Sequence, residues 1–129
     1  MKYTVDYAIT EDDLSYIVDL YQNQDGFDYR TDSGIQDSIA NSDGVIAIRD
    51  PEADEIVGFA RMLTDQAFQA MIVDPVVKTD SDNLGTKLVS AIYSHPDLDE
   101  TMVIMLYCLK GWETKYRSWG FEDPIFATI

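Results

Sequence analysis

The residues best placed to do chemistry lie in one stretch, Ala70 to His95, AMIVDPVVKTDSDNLGTKLVSAIYSH. An apolar run, a polar loop ending Asn-Leu-Gly and an amphipathic run predict a buried strand, a turn and a helix. That layout aims the first-turn N–H groups of the helix beyond the strand end, where they make a cradle for an anion. The loop acids do not suit calcium. In D-S-D-N-L-G, Leu84 stands where a third oxygen ligand is required, and Ala91 where a bidentate Glu is required. No metal site is expected, and Asp80 and Asp82 are read as caps of the following helix. Elsewhere, Phe27 and Tyr29 in GFDYRTDSG are candidates for an acceptor pocket or for lid packing, and Arg61 and Asp65 for a surface ion pair. The single cysteine, Cys108, falls in the apolar run MVIMLYCL and reads as a buried small hydrophobe. The lone His95, before Pro96 and far from any second histidine, reads as a surface loop residue.

Composition excludes several classes. A chain of 129 residues, 46% hydrophobic, is expected to be a single domain over 1-129 with its own core. One cysteine rules out an intrachain disulfide. No apolar run approaches the roughly 20 residues that span a bilayer, and no signal peptide is recognisable, so a cytoplasmic protein is expected. Acidic residues number 24 against 9 basic ones, a formal net charge of −15. A field of that sign repels nucleic acid and anionic membranes, so neither is an expected partner. Because the acids are scattered along the chain, adaptation to a high-salt cytoplasm explains them better than a cationic partner or mimicry of a polyanion.

These residues need elements to hold them. Lys2 to Ile9 is expected to form a first strand, Thr10 to cap a helix running to Tyr21, and Gly34 to Ala40 a second helix. Val45 to Ile48, Glu55 to Thr64 and Phe68 to Val77 then read as three antiparallel strands, with Gly58 marking a bulge or close approach and Pro75 interrupting the ladder. A helix from Asn83 or Leu84 to Ser94 leads to Thr101 to Leu109, whose unbroken apolar character predicts a parallel strand buried on both faces. Trp112 to Trp119 is a short helix stopped by Gly120, and Pro124 to Ile129 a closing strand.

This order resembles the GNAT family of acetyl-CoA-dependent N-acyltransferases. NSDGVIAIRD followed by EIVGFARMLTD is similar to the family's second and third strands, IVDPVV to its fourth, LGTKLVSAI to the helix after its pyrophosphate loop, and YRSWGF to its "FYeklGF" signature. The resemblance implies an α+β, three-layer α/β/α sandwich whose mixed, mostly antiparallel sheet splays between strands four and five. It also implies acetyl-CoA as co-substrate, with pantetheine pairing to Pro75, Val76 and Val77, and pyrophosphate at Asn83, Leu84, Gly85 and Thr86. Tyr116 holds the position of the tyrosine that protonates the departing thiolate, a task suited to a phenol of pKa about 10. Asp74 is the candidate base, directly or through water. The implied function is transfer of an acetyl group straight to a primary amine, small-molecule or peptide, since Cys108 is poorly placed to carry it. Homodimers are common in the family. The alternative is a GNAT-fold chain that has lost the cofactor and serves as an acidic binding or regulatory module.

The loop departs from the family pattern. DNLG is about two residues short, keeps only Gly85 of the usual glycines, and brings Asp80 and Asp82 toward a diphosphate. At about 6 Å each like pair costs about 0.7 kcal/mol in water and nearly 3 kcal/mol at an effective dielectric of 20. In molar salt the Debye length shrinks to about 3 Å and much of that penalty vanishes. Loop and surface acidity thus share one explanation, and the melting temperature is expected to rise between low and molar KCl; a flat or falling value removes it.

Overall fold

Near-continuous apolar runs in the central strands and period-3.6 stripes in the helices set one sheet between two helical layers. The computed structural model describes residues 2–121, in the order β1 (Thr4–Asp6), α1 (Leu14–Gln22), α2 (Asp32–Ala40), β2 (Gly44–Asp50), β3 (Glu55–Thr64), β4 (Gln69–Val77), α3 (Leu84–Tyr93), β5 (Val103–Tyr107) and α4 (Glu113–Trp119). The strands lie in the order β1-β2-β3-β4-β5, antiparallel except for the parallel β4–β5 pair. Ala47, Phe59 and Val76 face Ile17, Tyr21 and Ile35 of α1 and α2. On the opposite face Ile46, Met62 and Ile72 pack with Leu88 and Ile92 of α3 and with Tyr116 and Trp119 of α4. This is the expected α/β/α layering. Among the described residues, no helix is long and apolar enough to cross a membrane.

Several local expectations change. β1 is shorter than Lys2 to Ile9 because the chain leaves the ladder after Asp6 to seat Tyr7, whose hydroxyl donates to Ala91 O at 2.7 Å. Tyr7 also meets the ring of His95 edge-on at 4.8 Å, and His95 is 5% exposed, so the histidine belongs to the core and not to a surface loop. Its Nδ1 accepts the Asp97 N–H, and burial lowers its pKa. The unfolded chain therefore takes that proton first, and the stability His95 contributes is complete above about pH 6.5 and lost as pH falls below it. β5 is not buried on both faces. Only Leu106 of its five residues is buried, because β5 ends the order of the described strands. Asp65 accepts the N–H groups of Ala67, Phe68 and Gln69, so it shapes the β3–β4 turn and Arg61 pairs elsewhere. The expected closing strand, Pro124 to Ile129, lies outside the described residues.

One arginine ties β1 to the rest. Arg49 of β2 donates to Asp6 at 2.8 Å, to both oxygens of Asp13 at 3.0 Å, and to Asp54 at 3.1 Å. Asp13 is buried and also accepts the Thr10 N–H, closing a capping box at the short 3-10 turn before α1. The Arg49 hydrogen bonds hold its carboxyl below the usual range, with the Thr10 N–H adding to them. That contribution is present above the unfolded pKa and lost as pH falls through the folded one. Arg49→Met leaves a buried carboxylate unpaired and is expected to cost about 3–5 kcal/mol in urea unfolding. Adding Asp13→Leu should return most of the loss; failure to do so would assign the effect to Asp6 and Asp54.

Candidate functional site

The site begins at a break in β4. Val73 opposes Arg61 and Val76 opposes Phe59, so Asp74 and Pro75 share one partner position and form a bulge. Asp74 takes φ +55°, a left-handed conformation that costs an Asp about 1 kcal/mol or more. Three side chains hold it there. The Tyr21 hydroxyl donates to Asp74 O at 2.9 Å, Arg30 Nη1 reaches Oδ2 at 2.7 Å, and Arg61 Nη2 reaches the same oxygen at 3.3 Å. Among the described residues, Oδ1 receives a single long hydrogen bond, 3.5 Å from Arg30 Nη2.

The bulge coincides with the sheet's opening. Parallel pairing of β4 with β5 ends at Val73 and Tyr107, whereas β4 runs on to Val77, so Asp74, Pro75, Val76 and Val77 have no β5 partner. At this opening Tyr116 of α4 donates its hydroxyl to Pro75 O at 3.1 Å. Tyr116 is buried, which raises its pKa, and the nearby Asp74 charge adds to the effect. The phenol thus keeps its proton at neutral pH.

Structures of known proteins share this fold. The chain superposes on a GNAT-family acetyltransferase from Streptococcus pneumoniae with a TM-score of 0.68 at 21% identity, over 94% of this chain and 88% of that one. It superposes likewise on a putative GNAT-family acetyltransferase from Xanthomonas campestris, with a TM-score of 0.68 at 23% identity, covering 95% and 87%. A glucosamine-6-phosphate N-acetyltransferase from Arabidopsis thaliana gives a TM-score of 0.70 at 15% identity, covering 100% and 97%. The chain has the GNAT fold. By sequence it matches no family model and no curated protein, so the likeness is carried by the fold.

The start of α3 is the second candidate region. Asp82 and Asn83 are both left-handed, at φ 60° and 56°, and no side chain caps the helix. Asp82 does not cap as expected, because its carboxylate accepts the Tyr3 hydroxyl at 3.0 Å. Asp80 instead lines a cavity of about 340 Å³ with Asn83, Gly85, Thr86, Lys115 and Trp119. Leu84 turns inward and is buried in the core. The N–H groups of Gly85 and Thr86 belong to the first turn of α3, where a helix leaves its donors unpaired. Lys115 Nζ lies 4.9 Å from the Trp112 ring and 5.4 Å from that of Trp119, and donates to Gln24 Oε1 at 3.3 Å. Burial lowers the pKa of this ammonium group, and Asp80 opposes the shift. Two helix N–H groups and an ammonium group fit a diphosphate in donor type, while the Asp80 carboxylate cancels the ammonium charge.

Gly85 has a second duty. A Cβ there would fall inside the indole of Trp119, which lies flat against the glycine. Its smallness is required by packing between α3 and α4, whatever approaches from outside.

The acceptor-side candidates separate. Phe27 is 2% exposed and packs edge-on against Tyr21 and Trp112, so it lines no opening; the Arg30 guanidinium stacks on it at 4.2 Å. Tyr29, 76% exposed, lines a cavity of about 470 Å³ with Arg30, Thr31, Ser38 and Arg61. Arg30, Lys115 and Trp119 are absent from the sequence-based candidates. A signal existed for Arg30, a single cation within an aromatic and acidic loop of a cation-poor chain. Lys115 offered a weaker one, since it precedes Tyr116 where the GNAT signature has an aromatic residue. Gly85→Ala is expected to cost about 1–3 kcal/mol through overpacking. Combining it with Trp119→Leu should relieve most of that penalty, and a neutral Gly85→Ala would show that the indole moves freely.

Proposed function

We propose that this chain is an N-acetyltransferase that passes an acetyl group from acetyl-CoA directly to a primary amine. The observation that carries the reading is the loss of β5 pairing along Asp74 to Val77, with the Tyr116 hydroxyl set against Pro75 O at the opening. A strand edge left unpaired there offers backbone groups to an extended amide chain, as the pantetheine arm is, and Pro75, Val76 and Val77 supply that edge. Diphosphate binding falls to Asn83, Gly85, Thr86 and Lys115. Acetyl-CoA supplies an activated thioester; the protein orients it and manages two protons.

An ammonium group is no nucleophile, so the acceptor must first give up a proton. Asp74 Oδ2 is taken by two guanidinium groups, which leaves Oδ1 as the atom to receive it, directly or through water. The amine nitrogen then bonds to the thioester carbonyl carbon, the carbon–sulfur bond breaks, and the sulfur leaves with the electron pair. Tyr116 releases its hydrogen bond to Pro75 O and donates that proton to the sulfur, and the phenolate left behind takes up, directly or through water, the second proton that the acylated nitrogen sheds. The Cys108 thiol, whose pKa is raised by burial, keeps its proton and takes no part.

Calorimetric titration of acetyl-CoA at low and at near-saturating KCl tests the reading. Heat is expected in high salt, where repulsion from Asp80 and the acidic surface is screened. No heat at either salt would leave a GNAT-fold binding module without cofactor. Given binding, Tyr116→Phe is expected to lower turnover about 100-fold with little change in acetyl-CoA affinity, and unchanged turnover would remove Tyr116 from the chemistry.

A further inference from the structure

A net charge of −15 draws cations to the surface at large, yet the cavity beside Asp74 is lined in the opposite sense. None of the residues lining it is acidic, and two of the chain's four arginines, Arg30 and Arg61, form its walls with Tyr29, Thr31 and Ser38. Asp74 lies beneath both guanidinium groups and, among the described residues, supplies the one carboxylate with which either forms an ion pair. The cluster therefore carries a positive charge in excess.

Its donors are also in excess. Arg61 spends Nη1 on Ser38 O and Ser42 Oγ, and Nη2 on Asp74, while its buried Nε has no hydrogen-bond partner among the described residues. Arg30 spends Nη1 and Nη2 on Asp74, and its side chain is 27% exposed at the cavity. Stacking on Phe27 fixes the plane of that guanidinium, so a bidentate anion would meet a group already oriented. The same two arginines bind the Asp74 carboxylate directly, which sets an anion held by them within a few atoms of the bulge.

We infer that the acceptor is an amine carrying an anionic group, a carboxylate or a phosphate, held by Arg30 and Arg61 while its amino end faces Asp74. This rests on the transferase reading for the amine, though the anion site stands by itself. A diamine is excluded by the same feature, because its second ammonium would face two guanidinium groups.

The test compares four short amines with the full-length chain: β-alanine, O-phosphoethanolamine, ethanolamine and 1,5-diaminopentane. Binding is followed by NMR shifts without acetyl-CoA, and transfer is followed with it. Either or both of the first two should bind at least about tenfold more tightly than ethanolamine, and which of them does so distinguishes carboxylate from phosphate. Arg30→Gln should remove the preference and Arg30→Lys should restore part of it, with circular dichroism confirming the fold of each. Anionic probes that bind no better than ethanolamine, or a preference for the diamine, would overturn the inference on the wild-type chain alone. Anion binding without any acetyl-CoA binding would sink the transferase reading and leave the anion site in place. Acetyl-CoA binding with indifference to the anion would do the reverse.

Discussion

The Asp74 carboxylate is the interaction on which the site depends. Its backbone is left-handed in the middle of a strand, where a non-glycine residue is strained, and contacts from three separate elements hold it. Tyr21 comes from α1, Arg30 from the loop before α2, and Arg61 from β3. Remove the carboxylate and Arg30 and Arg61 lose the anion between them; relax the backbone and Val76 and Val77 lose their register against β3. The bulge gives β4 one residue more than β3 across this span, just where its pairing with β5 stops. Strain at one residue thus marks the place where the sheet opens.

How far this could be read from the sequence follows from the range of the forces involved. Pro75 inside an apolar run announces an interrupted ladder, because a missing N–H is a local fact. Gly58 announces a close approach for the same reason: β2 and β3 shift register beside it, and Ile48 lies within 3.3 Å of where its Cβ would be. The pairings of Asp74 with Arg30 and Arg61, 44 and 13 residues away, are not local. A single sequence offers no preference between Asp65 and Asp74 as the partner of Arg61, and the nearer carboxylate is the natural guess. Asp65 is instead absorbed by three backbone N–H groups of its own turn. His95 misleads similarly, since the proline after it signals a loop, while its burial depends on Tyr7 arriving from the other end of the chain.

Net charge and local charge answer different questions here. The sum of −15 describes the surface and its response to salt. The interior of the site is set by a few cations placed by the fold. Lys115 lies across from Asp80 at the start of α3, and Arg30 and Arg61 stand over Asp74. Of the two loop acids that appeared to oppose a diphosphate, Asp82 is engaged by the Tyr3 hydroxyl and only Asp80 lines the cavity. Asp82 keeps its charge but is turned to Tyr3 and does not line the cavity, and the charge of Asp80, which does, is met there by the Lys115 ammonium group.

What the short loop lacks in length it regains from α4. In a longer glycine-rich loop, successive backbone N–H groups surround a phosphate and side chains matter little. Here two left-handed residues, Asp82 and Asn83, turn the chain directly into α3, leaving the first-turn N–H groups and little else from the loop itself. The indole of Trp119 closes over Gly85 on one side, and the ammonium group of Lys115 stands over the same indole. One short helix thus brings Lys115 to the cavity at the start of α3 and Tyr116 to the opening in β4. Since these residues are adjacent in sequence and both rest on α4, a shift in how Trp119 packs against Gly85 would move the Lys115 ammonium group and the Tyr116 hydroxyl together.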